Sequence, residues 1–123
     1  MVVDDEKDIL TMTAMALERY GYKVEAFNDP VEALQRFKDN PNDFSLVLTD
    51  IRMPVMDGIQ LSAELLKIKQ DVHILLMTAF DIDGFIFDKL PTIKKEDVLK
   101  KPFQPRHLCE CVSRRLEKVS VSN

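Results

Sequence analysis

Hydrophobic and polar residues follow two different periods along this chain, and stretches of the two periods alternate. Residues 44–49 (FSLVLT) and 73–78 (HILLMT) are nearly continuous apolar runs of strand length. Such runs are typical of central strands in a parallel sheet that is covered on both faces. Residues 22–27 alternate like a half-exposed edge strand, and short apolar stretches at residues 1–3 and 98–99 predict the first and the fifth strand.

The stretches between these strands carry apolar residues at the three- and four-residue spacing of amphipathic helices. They predict helices over residues 7–20, 30–40, 58–69 and 105–118. This alternation predicts a three-layer α/β/α domain built on a doubly wound, five-stranded parallel sheet. The positions expected on the inward stripes are Ile9, Thr13, Ala16, Leu17 and Tyr20, then Val31, Leu34 and Phe37, then Ile59, Leu61, Ala63, Leu65, Leu66 and Ile68, and finally Leu108, Cys109, Val112, Leu116 and Val119.

Capping residues mark several helix boundaries. Gly21 is expected to end the first helix, and Asn28-Asp29-Pro30 supplies the second with an N-cap and a proline in its first turn. We expect one domain over residues 1–119, followed by a disordered tail at residues 120–123.

The segment at residues 79–97 has to supply a fourth helix, but its sequence resists a regular one. An inward stripe would consist of Ile82, Phe85, Ile86 and Leu90. Gly84 costs such a helix about 1 kcal/mol relative to alanine, and Pro91 cannot lie in its interior. We therefore expect a short or mobile helix here, with Phe87 poorly placed for burial.

Composition excludes several classes of function. With 46% hydrophobic and 31% charged residues in a chain of 123, the sequence is that of one folded domain. A net charge of −4 argues against a direct nucleic-acid interface, which would need clustered lysine and arginine. No apolar run approaches the roughly 18 residues of a transmembrane helix, and no signal-peptide pattern is present, so no membrane role is expected.

The two cysteines, Cys109 and Cys111, lie two positions apart in a helical stretch. That spacing fits neither a redox CxxC pair nor, without distant partners, a zinc site. Two free thiols suit a reducing compartment, so we expect a cytoplasmic location.

Polar residues follow the predicted strands where each strand ends. Asp4 and Asp5 follow the first strand, Asp50 the third and Thr78 the fourth, and the fifth leads into Lys101. In a parallel α/β sheet these positions meet at one edge, where ligands bind. Clustered carboxylates need a compensating cation, and an all-oxygen site suits Mg²⁺. An aspartate can also attack phosphorus, and a lysine and a hydroxyl can neutralise the transferred group, so the set predicts a phosphoryl-accepting site.

Four short motifs carry a family resemblance. They are residues 2–6 (VVDDE), 49–58 (TDIRMPVMDG), 77–79 (MTA) and 101–103 (KPF). Each is weak alone, but all four occur in order, each at a strand's end. Across essentially its whole length the chain resembles the receiver domain of a two-component response regulator, of the CheY-like superfamily. The resemblance implies the flavodoxin-like strand order 2-1-3-4-5.

The resemblance also implies a metal site and a phosphorylated residue. Asp50 would become an aspartyl phosphate by transfer from a histidine kinase or a phosphotransfer protein. Mg²⁺ would be bound by Asp5, Asp50 and the backbone carbonyl of Arg52, with Asp4 acting mainly through water. Thr78 would hydrogen-bond the phosphoryl group.

The remaining motif residues have implied supporting roles. Lys101 would pair with the phosphoryl group, and the Lys101-Pro102 peptide bond is expected to be cis, as is usual in the family. Asp57 is interpreted as the cap of the helix that begins near Gly58, and Gly58 as permitting a tight backbone path. Lys100 is interpreted as a solvated lysine.

The chain departs from the family pattern on its expected output face. Val98 stands where family members usually carry the Tyr or Phe whose side chain responds to phosphorylation. The irregular fourth-helix segment lies on the same face, which family members commonly use for dimers or effectors. We therefore hypothesise that the signal depends on ordering of residues 80–95. Arg52 and Phe80 occupy positions that resemble those which tune dephosphorylation in the family.

The site residues favour a phosphorylation-dependent switch that turns over no metabolite beyond its phosphodonor, and two alternatives compete with it. One is a pseudo-receiver, an interaction module that works without phosphorylation; the complete set of site residues argues against it. The other is a flavodoxin-like cofactor binder, which the acidic residues after the first strand exclude. The expected partners are the phosphodonor protein and an unidentified effector or output domain, with a phosphorylation-dependent dimer as a further possibility.

Overall fold

Five parallel strands form a single sheet in the order β2-β1-β3-β4-β5. A computed structural model describes residues 1–80 and 85–121, apart from the side chains of residues 85 and 118–121. The expected doubly wound sheet and its strand order are confirmed. The strands are β1 at Val2–Val3, β2 at Ala26–Phe27, β3 at Leu46–Asp50, β4 at His73–Thr78 and β5 at Val98–Lys100.

Helices cover both faces of this sheet, which confirms the three-layer architecture. Side chains of α1 and α5 pack with one face of the sheet, and those of α2, α3 and α4 pack with the other. None of the helices in the described part of the chain has the length and apolarity to cross a bilayer. The helices are α1 at Lys7–Arg19, α2 at Pro30–Asp39, α3 at Gly58–Ile68, α4 at Phe85–Lys89 and α5 at Pro105–Val121, with 3₁₀ turns at Pro41–Asp43 and Lys95–Asp97.

The central strands β3 and β4 are buried on both faces, as their continuous apolar runs predict. Ile74 and Leu76 of β4 pack toward α2 and α3, whereas Leu75 and Met77 pack toward α1 and α5. This division follows from the two-residue period of a strand. The register pairs Asp50, the last residue of β3, with Met77, so β3 and β4 end side by side.

The second strand is shorter than the pattern at residues 22–27 indicates. In the described part of the chain, β2 pairs with the sheet through Ala26–Phe27, because the adjacent strand β1 consists of Val2–Val3. Tyr22 and Val24 are half-buried against the α1 and α5 side of the core. The alternation of apolar and polar residues at 22–27 reflects this partial burial. The number of residues that pair with the sheet depends instead on the length of the neighbouring strand.

Three predicted inward positions are wrong. Ile68, the last residue of α3, is 36% exposed. Val31 is 46% exposed, because the buried stripe of α2 is Pro30, Ala33, Leu34 and Phe37, and Val31 lies to one side of it. Tyr20 is 56% exposed at the C-cap of α1. The buried residues of α1 are Leu10, Thr13 and Leu17, of which Leu10 was not predicted.

The fourth helix is short, as expected, and ends before Pro91. Ile86 and Leu90 are buried as predicted. Phe87, expected to be poorly placed for burial, is only partly buried and packs against the edge of the core cluster. Ile82 and the side chain of Phe85 lie outside the described residues.

The last helix runs further than its pattern indicates. It ends at Val121, so the first positions of the expected tail continue the helix. Residues 122–123, and the side chain of Val119, lie outside what the structure describes. The domain boundary at residue 119 stays a prediction.

Candidate functional site

The C-terminal edge of the sheet brings the predicted site residues together. Asp4 follows β1, Asp50 ends β3, Thr78 ends β4 and Lys101 follows β5. Asp4, Asp50 and Thr78 are buried, and only 9% of the Lys101 side chain is exposed. Polar groups this deeply buried need partners, and the site supplies them to one another.

Lys101 is the cationic centre of this cluster. Its Nζ lies 2.7 Å from Oδ2 of Asp4 and 3.2 Å from Oδ2 of Asp50. A third carboxylate oxygen, Oε1 of Glu6, lies 3.9 Å away. One buried ammonium group therefore faces several carboxylates.

Backbone amides hold the other carboxylate oxygens. The Glu6 N–H donates to Oδ1 of Asp4 at 2.9 Å, and the Ile51 N–H donates to Oδ1 of Asp50 at 2.9 Å. Bonds to ionised acceptors are stronger than bonds between neutral groups, so they fix the orientation of both side chains. Asp4, expected to act mainly through water, thus has two direct protein partners.

The pKa values of the buried pair follow from this arrangement. Burial raises the pKa of Asp50 above its usual value of 3.8, and the charge of Asp4 adds to the rise, although Lys101 opposes it. Burial acts to lower the pKa of Lys101, but the hydrogen bond and charge of Asp4, with the charge of Asp50, raise it overall. Lys101 is therefore a firmly held cation.

The acidic residues also fit a divalent cation. Oxygen atoms of Asp4, Asp5 and Asp50 all lie within 4.8 Å of one another. Asp5 is exposed, so its carboxylate can bind an ion that arrives from solvent. An all-oxygen, carboxylate-rich set suits Mg²⁺ or Ca²⁺ better than a softer metal. The predicted ligands Asp5 and Asp50 are thus brought together, and Arg52 lies beside them.

A cavity of about 130 Å³ opens onto this cluster; we call it the Asp50 cavity. Thr78 borders it, and Oγ1 of Thr78 accepts a hydrogen bond from the Phe80 N–H at 3.0 Å. Because this hydroxyl accepts here, its own proton can be donated to a ligand oxygen. The lining residues are Asp5, Glu6, Asp50, Arg52, Thr78, Ala79, Phe80 and Lys101.

The loop that leads from Asp50 into α3 has the expected caps. Asp57 accepts from the Gln60 N–H at 2.8 Å, and the Gln60 side chain accepts from the Asp57 N–H at 3.2 Å, a reciprocal capping box. The Gly58 N–H donates to the Ile51 carbonyl at 2.7 Å. A Cβ at Gly58 would collide with the carbonyl oxygen of Asp50 and lie 2.9 Å from Cα of Ile51. The interpretations of Asp57 as a helix cap and of Gly58 as a position with a tight backbone path are confirmed, as is the cis Lys101-Pro102 bond.

Two features of the cavity rim were not foreseen. The guanidinium carbon of Arg52 lies 4.0 Å from the centre of the Phe80 ring, a cation–π contact. The sequence predicts a backbone oxygen of Arg52 as a metal ligand and gives Arg52 and Phe80 positions that resemble those which tune dephosphorylation, but it does not predict a contact between the two side chains. Glu6 also faces Lys101. Its position directly after Asp4-Asp5 is the sequence feature that could have predicted this contact.

Comparison with known proteins gives a consistent result. A sequence model of the response regulator receiver domain family matches residues 1–113. The response regulator receiver protein CpdR of Brucella abortus is 34% identical over 116 residues, which are 94% of this chain and 94% of CpdR. The alkaline phosphatase synthesis transcriptional regulatory protein PhoP of Bacillus subtilis is 36% identical over 110 residues. That match covers 88% of this chain but only 44% of PhoP, so the chain spans less than half of that relative.

Solved structures agree with the sequence matches. A CheY-like response regulator receiver domain protein from Methanospirillum hungatei superposes with a TM-score of 0.85 at 25% sequence identity. The superposition covers 99% of this chain and 95% of that one. The shared fold therefore extends over both molecules nearly from end to end.

Proposed function

The chain belongs to the response regulator receiver domain family of two-component systems, and from this premise we propose that it is switched by phosphorylation of Asp50. The phosphodonor is a histidine kinase or a phosphotransfer protein, the donors that family membership implies. The proposal extends the family assignment to named atoms of this chain.

The contact of Lys101 with both Asp4 and Asp50 is the observation that carries this proposal. It fixes an ammonium group beside Asp50, a buried carboxylate that also lines the Asp50 cavity. A phosphoryl group on Asp50 would bring negative charge into a position already faced by Lys101 Nζ and the Thr78 hydroxyl. Such charge stabilisation is the main contribution a protein makes to phosphoryl transfer.

The transfer step uses the ionised form of Asp50. A carboxylate oxygen attacks the phosphorus of a phosphohistidine; the new P–O bond forms as the P–N bond breaks. A donor imidazole protonated at its other nitrogen leaves as the neutral ring, so charge is conserved. Thr78 donates a hydrogen bond to the transferred group, and Lys101 pairs with it.

Asp5, Asp50 and the Arg52 carbonyl would hold Mg²⁺, with Asp4 in contact through water. When bound, Mg²⁺ neutralises charge on the phosphoryl oxygens. The carboxylate cluster supports this assignment, because negative charge there exceeds what Lys101 can balance. Two free, buried cysteines are compatible with the cytoplasmic location that we propose.

Signal output is proposed to use the face formed by α4, β5 and α5. Val98 stands on this face where family members usually carry an aromatic side chain that responds to phosphorylation, and it is half-buried against the core. Phosphorylation orders residues 80–95, a segment of which residues 81–84 lie outside the described part of the chain. The partner on this face is an effector, an output domain or a second phosphorylated copy.

Intact mass spectrometry after incubation with acetyl phosphate and Mg²⁺ tests the proposal. We expect a mass gain of one phosphoryl group in the parent and none in Asp50→Asn. Asp57→Asn is the matched control, since it removes a nearby carboxylate but keeps an oxygen for the helix cap. Absence of any gain in the parent would contradict the proposal and favour an interaction module that works without phosphorylation.

A further inference from the structure

Thr49 is a fully buried polar residue in β3, directly before Asp50. The strand positions before it, residues 46–48 (LVL), are all apolar. Burying a hydroxyl among such residues costs free energy unless the hydroxyl is hydrogen-bonded. Oγ1 of Thr49 donates to the backbone carbonyl of Asp50 at 3.0 Å, and this bond accounts for a hydroxyl at the position.

The Asp50 carbonyl lies where β3 ends, and it is held from two sides. A buried backbone carbonyl needs a donor, and the Thr49 hydroxyl supplies one. On another side, the carbonyl oxygen lies against Gly58, the first residue of α3, where a Cβ would collide with it. The carbonyl therefore has little freedom to turn while both contacts are present.

The other end of the same peptide group holds the carboxylate of Asp50. The Ile51 N–H donates to Oδ1 of Asp50 at 2.9 Å and also to the Met77 carbonyl at 3.0 Å, so one donor is divided between two acceptors. A peptide group is planar and rigid, so the Asp50 carbonyl and the Ile51 N–H turn together. The Thr49 hydroxyl thus helps to determine how this N–H is divided between the carboxylate and β4.

The orientation of the Asp50 carboxylate matters for phosphoryl transfer. The bond from the Ile51 N–H to Oδ1 restricts rotation of the carboxylate, while Oδ2 lies 3.2 Å from Nζ of Lys101. The attacking oxygen has to approach phosphorus roughly in line with the leaving group. A misplacement of about 1 Å can slow such a step by about 100-fold, so a group that holds the carboxylate in place contributes to the rate.

We propose that Thr49 is a positioning residue for phosphoryl transfer: its hydroxyl fixes the tilt of the peptide group between Asp50 and Ile51, and that peptide group fixes the Asp50 carboxylate. Without the hydroxyl, the Ile51 N–H moves toward the Met77 carbonyl and away from Oδ1, and the carboxylate gains freedom to rotate. Thr49 acts through the backbone and is not itself a catalytic residue. This inference rests on the proposed function, because it assigns a role in the transfer step at the same site.

Substitutions at position 49 separate the hydroxyl from the shape of the side chain. Thr49→Val has nearly the same shape but no hydroxyl, whereas Thr49→Ser keeps the hydroxyl and loses the methyl group. Thr49→Ala also lacks the hydroxyl, and it replaces Thr49→Val in the comparison if urea denaturation shows that the valine variant is unfolded. Ser62→Ala is the matched control, because it removes a buried hydroxyl that donates to the Gly58 carbonyl at 2.6 Å, one turn into α3.

Two measurements test the proposal. Phosphorylation by acetyl phosphate is followed by intact mass at saturating Mg²⁺, so that metal binding does not limit the rate. We expect Thr49→Val to react about tenfold more slowly than the parent, and Thr49→Ser and Ser62→Ala to stay within about twofold of it. Amide NMR at pH 7 reads the hydrogen bond without phosphorylation: the Ile51 amide proton should move to lower chemical shift in Thr49→Val, because it loses an ionised acceptor, and should stay in place in Thr49→Ser.

A rate for Thr49→Val within about twofold of the parent would overturn the inference. Equal slowing of Thr49→Ser would assign the effect to the methyl group, and equal slowing of Ser62→Ala would assign it to the loss of any buried hydroxyl, so either result also overturns it. A slower Thr49→Val with an unmoved Ile51 signal would do the same, because the hydroxyl would then act by another route. If the parent itself accepts no phosphoryl group, the proposed function fails as well, which is distinct from a parent that reacts no faster than Thr49→Val.

Discussion

Buried carboxylates lie at both edges of the sheet, and the two edges balance their charge differently. At the C-terminal edge, Asp4 and Asp50 share Lys101, and the exposed carboxylate of Asp5 is close by. At the opposite edge, Asp97 is 1% exposed and stands directly before β5. Carboxylates outnumber the lysine at the first edge.

At the opposite edge, Asp97 is paired with an arginine. Oδ1 of Asp97 lies 3.4 Å from Nε of Arg115 on α5, and Oδ2 accepts from the Lys94 N–H at 2.9 Å. This pair holds the start of β5 against the last helix. A buried carboxylate that is paired with an arginine needs no further ligand. Excess negative charge beside a cavity requires a further cation to compensate it. Local charge excess, more than burial, therefore distinguishes the candidate functional edge from the structural one.

Loss of the ion pair between Asp97 and Arg115 should have the largest effect on stability. Asp97→Asn leaves the Arg115 guanidinium largely buried without its counter-charge, so the free energy of unfolding should fall by about 2 kcal/mol. Urea denaturation measures this loss. Glu96→Gln, at the exposed neighbouring position, is the matched control and should stay within about 0.5 kcal/mol of the parent. A loss no larger than the control's would mean that the pair contributes little.

The same substitution at the other edge should act in the opposite direction. Asp50→Asn keeps an oxygen for the Ile51 N–H and removes one of the mutually repelling carboxylates. Without Mg²⁺ we expect it to stabilise the fold by about 1 kcal/mol, as relief of a strained functional site often does. Destabilisation comparable to that of Asp97→Asn would erase the distinction between the two edges.

The pH dependence of this difference follows from the raised pKa of Asp50. A carboxyl whose pKa is higher in the folded state contributes stability that is fully present below about 3.8 and is lost as the pH rises through the folded-state value. The stability advantage of Asp50→Asn over the parent should therefore grow as the pH is raised from about 4 and then level off. Urea denaturation of both proteins across this range, in chelator, measures it. An advantage that shrinks with rising pH would have the wrong sign.

An exposed ion pair supplies the smallest effect. Nε of Arg106 lies 3.4 Å from Oε1 of Glu110 on the surface of α5, and their side chains are 83% and 55% exposed. Glu110→Gln should change the free energy of unfolding by less than about 0.5 kcal/mol, because water and salt screen such pairs. A loss as large as that of Asp97→Asn would show that burial does not determine how much an ion pair contributes to the free energy of unfolding.

Much of the fold and of the candidate site could be predicted from the sequence, because strand ends are visible in it. The apolar runs that end at Thr49 and Thr78 determine where the chain leaves the sheet. Parallel strands then bring Asp4, Asp50 and Lys101 to one edge. The cap at Asp57 was equally local, since its partner Gln60 lies one turn away.

The remaining features depend on contacts between distant segments. Nothing in the sequence pairs Asp97 with Arg115 or places the Arg52 side chain over Phe80. The length of β2 depends on its neighbour. Periodicity indicates which side of a helix or strand is buried, but it contains no information about which distant residues will contact one another.

Locating the phosphoryl group tests the central claim most directly. Acetyl phosphate and Mg²⁺ would be used to load the chain, and borohydride would reduce the acyl phosphate to homoserine at the modified position. Peptide mass spectrometry would then read that position. The account predicts homoserine at position 50 and nowhere else; homoserine at position 4 or 5, or none at all, would contradict it.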